Sequence, residues 1–414
     1  MKIPRSTLTL RLLAITSIAT LSGVAHAQPR YDFILVNSFN ANPLAGEAFI
    51  WGVSDNGVAC GMATMDNRIG YPGFVWTEAT GKAEVPVSSP KAVSINGLVV
   101  GNQSVYNLNT SQWTTPPNLP GTYYGPSFAA VNDADVAVGS ISTCTCSDSG
   151  GIQKVPYIWD AVNGARTLDV PNAKYLYRVN NAGIVLGWMN DLVSQGPFFA
   201  DMATGAYTAF ADVIPPDLGV GYPSAADIND NGEIVGSIPG SYPIYRYGFV
   251  YSPSTGVHVL PFPGAGYQQY VSPTSINNAG TVVGVISTTL ASQRVFVYTE
   301  ADGLRDLLTP GLVAGMPDGY RFYMATRINN HGWIVGYGHT AAGKVTGFVL
   351  KARVASCPAD FDGDATVDFF DYDAFVRCFE GGACPPGKTA DFDSDGTVDF
   401  FDYDAFVVAF ETPC

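Results

Sequence analysis

The chain has 414 residues, a formal net charge of −15 and 47% hydrophobic residues, which is length enough for more than one domain. The acidic balance argues against nucleic acid or an anionic membrane as a partner. Beyond the N-terminal leader, no stretch is apolar enough to span a bilayer.

Taken in order, residues 1–27 read as a secretory signal. Lys2, Arg5 and Arg11 precede an apolar run from Leu12 to Val24, and Ala25-His26-Ala27 supplies small residues for cleavage. The expectation is export, with a mature chain starting near Gln28 that works outside the cell, at its surface or in the periplasm. Seven Cys suit such an oxidising compartment.

From residue 28 to about 352 a short phrase recurs. It reads GVSDNGVACG at 52–61, AVSINGLVVG at 92–101, AAVNDADVAVG at 129–139, RVNNAGIVLG at 178–187, DINDNGEIVG at 227–236, SINNAGTVVG at 275–284 and RINNHGWIVG at 327–336. The closing glycines are Gly61, Gly101, Gly139, Gly187, Gly236, Gly284 and Gly336, separated by 40, 38, 48, 49, 48 and 52 residues. An aromatic strand follows, as in GFVWTEATG, YIWDAVNG, FFADMATG, GFVYSPSTG and VFVYTEADG, and then a short final strand. Each unit therefore reads as four antiparallel strands joined by hairpins. A period of about 50 residues with β-type composition predicts propeller blades. The last unit stops after its third strand at GFVLKA, 347–352, while YDFILVN at 31–37 stands alone ahead of the first phrase. This orphan strand is expected to complete the last blade and close the ring, removing open sheet edges. The phrase resembles the secreted bacterial HAF repeat, a family recognised by its repeat and not by a shared activity, over most of 31–352. The second phrase is short, and Asp135 stands where Gly is expected.

The Asn and Asp residues of these phrases, such as Asp227, Asn229, Asp230 and Asn231, look rich in metal ligands. Turn chemistry is the stronger reading, because Asn and Asp tolerate left-handed dihedrals and hydrogen-bond locally. No catalytic set stands out. Past the leader the His residues are His258, His331 and His339, and HExxH, GxSxG and GxxxxGK[ST] are all missing. The large region holds Glu47, Glu78, Glu84, Glu233 and Glu300. A glycosidase needs two carboxylates facing each other across a sugar. Glu78 and Glu300 occupy equivalent turns in WTEATG and YTEADG, and Glu233 lies inside a phrase.

The tail states its chemistry more directly. DFDGDATVDFFD at 360–371 and DFDSDGTVDFFD at 391–402 are near-copies at an offset of 31, followed by YDAFVRCFE and YDAFVVAFE. Residues 357–414 hold 14 of the 36 acidic side chains and 2 of the 21 basic ones. Oxygen ligands at loop positions 1, 3, 5, 9 and 12, with a backbone carbonyl at position 7, suit calcium, a hard cation. The expected ligands are Asp360, Asp362, Asp364, Thr366, Asp368 and Asp371, then Asp391, Asp393, Asp395, Thr397, Asp399 and Asp402. Gly396 fills the sharp turn of the second loop where the first has Ala365, so the first site is expected to be the weaker. Tyr372, Phe375, Val376 and Phe379, and Tyr403, Phe406, Val407 and Phe410, put an apolar stripe on each following helix.

Loop, helix, linker, loop and helix, with Asp at position 12, resemble a type I dockerin over about 357–414. The resemblance implies a calcium-stabilised helix pair, EF-hand-like in its loops, that docks onto a cohesin-like or cell-surface protein. In that family, positions 10 and 11 help choose the partner; here they are Phe369, Phe370, Phe400 and Phe401. The alternative is that these rings form the module's own core. Four Cys in the module allow three pairings; Cys378–Cys384, closing the linker, and Cys357–Cys414, joining the two ends, are expected. Cys144 and Cys146 sit too close for an easy bond, and Cys60 is expected to be a buried free thiol.

The expected fold is thus mainly β: a seven-bladed propeller of four-stranded blades over 28–352, a linker at 353–356 and a small α calcium module. The expected function is binding by the propeller, with polysaccharide as a candidate ligand, and attachment by the tail. The competing reading is a polysaccharide-degrading hydrolase or lyase in the propeller funnel. A third makes the tail a self-contained stabiliser.

Overall fold

The computed structural model describes residues 30–42, 46–122, 124–144, 152–190, 195–216, 218, 221–240, 246–262, 268–287, 293–353, 358–362, 367–385, 387–393 and 395–411. The leader 1–27, most of the 353–356 linker and the Cys357–Cys414 pairing lie outside them, as do Cys146 and the side chain of Cys144.

The fold is mainly β. Successive strands pair antiparallel with their sequence neighbours in four-stranded meanders. The first runs through Ala48–Val53, Ala59–Ala63, Gly73–Thr77 and Gly81–Val85. Ala173–Val179, Ile184–Asn190, Gln195–Asp201 and Tyr207–Ala209 form another in the same order. In every unit but the second, the third strand carries a buried aromatic residue, and its register explains the closing glycine. Gly61 pairs with Phe74, Gly139 with Tyr157, Gly187 with Phe198, Gly236 with Phe249, Gly284 with Phe296 and Gly336 with Phe348. Each of these rings is fully buried. A Cβ on Gly236 would lie 2.8 Å from Phe249 Cζ and 2.0 Å from the Ser224 carbonyl oxygen. The glycine is therefore required by close approach, and the ring fills the space it leaves.

The orphan N-terminal strand takes the place expected of it. Tyr31–Val36 pairs antiparallel with Val345–Ala352, from Tyr31 opposite Ala352 to Val36 opposite Gly347. On its other edge Tyr31 and Asp32 meet a short strand, Val313–Ala314, in parallel. The sequence did not anticipate that last pairing. Arg353 bonds Asp32 at 2.7 Å, and Arg30 pairs with Asp302, so two ion pairs tie down the start of the strand.

The C-terminal segment holds two helices, α1 (Phe369–Phe379) and α2 (Phe400–Glu411). Their equivalent residues pack on each other. Phe375 and Phe406, 31 positions apart, stack with centroids 4.0 Å apart and planes 7° apart. Phe361 and Phe392 close the cluster edge-on against both rings. The sequence repeat thus becomes a local two-fold arrangement around one aromatic core. Cys378 and Cys384 form the expected disulfide. Cys60 is buried and free, and burial pushes its thiol pKa up to about 12.

Candidate functional site

Two places gather polar chemistry: the acidic loops of the tail and the axis of the ring. In the tail, Asp360, Asp362 and Asp371 come together, as do Asp391, Asp393 and Asp395. Within each trio one carboxylate oxygen per residue lies within 4.8 Å of the others. Asp391 Oδ1 is buried and has no hydrogen-bond partner among the described residues. The Asp395 N–H donates to Asp393 and acts to lower its pKa, but desolvation and the carboxylates of Asp395, Asp402 and Asp391 outweigh that bond and raise it. Converging oxygens with an enclosed free acceptor fit a hard cation such as calcium.

Other expected ligands carry local structure. Asp368 and Asp399 cap α1 and α2, each accepting from a backbone N–H two residues on at 2.8 Å. Asp371 accepts from Phe361, Asp362 and Asp368, and Asp402 from Phe392, Asp393 and Asp399, so position 12 clamps each loop to its helix. Asp402 is not in the second trio. Thr397 donates its N–H and hydroxyl to Asp395. Asp364 and Thr366 lie outside the described residues. Phe369, Phe370, Phe400 and Phe401 are 71, 66, 70 and 67% exposed. They are surface residues, which removes the reading in which they form the module's core; Phe361, Phe375 and Phe406 do that instead.

At the ring axis the Asn-rich turns do more than turn. The side-chain oxygen of Asn132, Asn180, Asn229, Asn277 and Asn329 accepts an N–H from its own turn. The Nδ2 of the same side chain donates to the corresponding carbonyl of the next unit: Asn132 to Asn180, Asn180 to Asn229, Asn229 to Asn277, Asn277 to Asn329, and Asn329 back to Ser54. This last bond closes the ring. One position later Asp133, Asn181, Asp230, Asn278, Asn330 and Asp55 link in the same direction through backbone N–H groups. Ile95 occupies that position in the second unit and supplies no side-chain acceptor. Asp135 takes the left-handed conformation that Gly holds elsewhere, φ 58°, and accepts from Ser94 Oγ at 2.5 Å.

Two and three residues before each turn lie further layers of the axis. A bulge recurs in the first strand of most units, for example between Ala225 and Asp227 and between Ala325 and Arg327. It turns the residue two before the Asn inward. There Asp227 meets Arg178 at 3.0 Å, Arg327 at 3.3 Å and the Ser275 hydroxyl at 2.5 Å. Burial, foremost, together with neighbouring Arg327, lowers the Arg178 pKa to about 10. The layer three before the turn, which includes Trp51, Lys91 and Tyr177, lines a cavity of about 370 Å³. The sequence analysis missed this site. Its signal was present, since charge appears at these places only in Lys91, Arg178, Asp227 and Arg327, against Gly, Ala, Ser or uncharged residues in the other units.

A separate cleft of about 720 Å³ brings together Glu233, His258, Tyr298 and Glu300. The spacing of the two Glu in sequence gave no hint that they share a wall.

No family model matches the chain, and no curated protein matches it. Among solved structures it is similar to the β-propeller domain of the Trilobed protease from Pyrococcus furiosus, at 11% identity and TM-score 0.42, over 62% of this chain and 82% of that one. A putative TolB from Agrobacterium tumefaciens matches at 11% identity and TM-score 0.39, over 78% and 99%. The hydrazine synthase of Kuenenia stuttgartiensis matches at 13% identity and TM-score 0.40, over 77% and 96%. Likeness at this level says nothing of what the chain binds.

Proposed function

We propose that this is a secreted calcium-binding protein, a seven-bladed propeller that serves as a binding domain and is attached through residues 357–414 to a cohesin-like or cell-surface partner. The observation that carries the reading is a converging carboxylate trio in each copy of a duplicated loop, at positions 1, 3 and 12 of the first and 1, 3 and 5 of the second. Calcium there would neutralise carboxylates that otherwise repel one another, and so would link ion binding to order in the tail. The resemblance of the tail to a type I dockerin, and four exposed Phe rings at its partner-choosing positions, support docking. The leader at 1–27 and the Cys378–Cys384 bond support export. Among the described residues no helix is long and apolar enough to cross a membrane.

Isothermal titration of the full chain with calcium should report two sites, and Asp391→Ala with Asp393→Ala should leave one. Undiminished stoichiometry in that variant would sink the assignment. Serine at Phe369, Phe370, Phe400 and Phe401 should abolish capture of a cohesin while leaving calcium binding intact.

Polysaccharide breakdown is a second reading, favoured by Glu233 and Glu300 sharing one cleft. Against it, Glu233 already accepts from Asn229 Nδ2 at 2.6 Å. The axial carboxylates Asp55, Asp133 and Asp230 are likewise held by Asn amides of neighbouring turns. Turnover of any plant or algal polysaccharide, lost in Glu300→Gln, would displace the binding-only reading.

A further inference from the structure

The 370 Å³ axial cavity is short of acceptors. Lys91, Arg178 and Arg327 line it, and the carboxylate that pairs with the two Arg residues is Asp227. Three cations against one carboxylate leave a formal excess of two positive charges. Lys91 makes no ion pair with a described carboxylate; its ammonium lies 4.8 Å from the centroid of the Trp51 ring. A further donor on the same wall, Trp51 Nε1, is buried without a hydrogen-bond partner among the described residues, and Arg327 Nη1 makes no hydrogen bond there, only its 3.3 Å ion pair with Asp227. Native interiors rarely leave buried donors unmet, and such groups mark places where an outside acceptor belongs. The rest of the wall is Ala129, Ala225, Ala226 and Met324, with Tyr177 and two threonines, Thr274 and Thr326, whose hydroxyls already donate to backbone carbonyls. Charge excess, an orphaned donor and a flat indole converge on one open pocket of ligand size.

We propose that this cavity binds a small organic anion, a carboxylate carried on a ring, with the carboxylate meeting Lys91, Arg327 and Trp51 Nε1 and the ring lying among the apolar residues. The inference rests on the propeller's being a binding domain, and it names the chemical class that domain takes. Guanidinium and ammonium groups make charge-assisted bonds to carboxylate oxygens. The low-dielectric wall strengthens them, and a single bound charge offsets part of an excess the fold otherwise leaves uncompensated. Sugar acids and aromatic acids both present this chemistry, and the test separates them.

The full chain is titrated with glucuronate and benzoate, and with their neutral counterparts glucose and benzamide, following Trp fluorescence and calorimetric heat. Saturable binding of at least one acid, with no binding of its neutral counterpart, is the expected result. Whichever acid binds identifies the ring. Lys91→Met, which keeps the packing of the stem, should weaken that acid about tenfold or more, and Trp51→Phe, which keeps an aromatic face and removes the donor, about threefold. Equal binding of acid and neutral partner would overturn the anion site while keeping the propeller a binding domain. No saturable binding of either acid, or unchanged affinity in both variants, would overturn it as well. The calcium titration of the same sample reports separately on the tail.

Discussion

Asn277 shows what a single buried residue does here. Its oxygen accepts from Ala279 and Thr281 within its own turn, and its Nδ2 donates across to the Asn329 carbonyl at 3.1 Å. Asp at that position keeps the acceptor, loses the donor and sets an oxygen against a carbonyl. Asn277→Asp should therefore destabilise by about 1–3 kcal/mol and Asn277→Ala, which loses both roles, by about 2–4 kcal/mol in urea unfolding. If the Asp variant matches wild type, the bond between units contributes nothing. The turn role was legible from Asn before Gly, because it is local. The cross-unit donor was not, because its partner lies 52 residues away in sequence. Cys60 is simpler: its raised pKa and full burial predict no alkylation by iodoacetamide at pH 8 in the native protein, and labelling after denaturation, by peptide mapping.

At the scale of the element, the closing glycine and the aromatic ring of the next strand are one device. Gly236→Ala puts a methyl 2.0 Å from a backbone carbonyl, where nothing flexible can yield. The expected loss is about 2–4 kcal/mol. The second unit departs from the pattern in a way that predicts a gain. Ile95 is 41% exposed where other units place Asp or Asn. Ile95→Asn would supply the missing acceptor for the Asp55 N–H and stabilise by about 0.5–1.5 kcal/mol, read as a raised Tm. Strand order within a unit was readable from hairpin signals, and the helix stripes of the tail from their period. The exposure of Phe369 and Phe400 was not readable, because composition alone does not say which of many rings a small core can hold.

The whole molecule depends on its first strand. Tyr31–Val36 completes the sheet begun by the last three strands, and Arg30 holds its start to Asp302. The Arg30 hydrogen bond, foremost, lowers the Asp302 pKa from 3.8 to about 2. A depressed carboxylate pKa contributes stability above about pH 4 that is lost as pH falls toward about 2. Both side chains are partly exposed, so the contribution is about 1 kcal/mol at most. The Tm gap between wild type and Asp302→Asn should be full at pH 7 and close between about pH 4 and pH 2; a gap independent of pH would exclude the linkage. By itself the sequence determined the repeat, the strand alternation, the orphan strand's destination and the duplicated acidic loops, since each rests on local periodicity or on simple counting of strands. Tertiary structure alone decided the ring of Asn bonds, the shared cleft of Glu233 and Glu300, and the layer that sets Lys91, Arg178 and Arg327 around one cavity. Those juxtapositions join residues about 50 to 275 apart in the chain, and only the packing of units on one another around the ring brings them within reach.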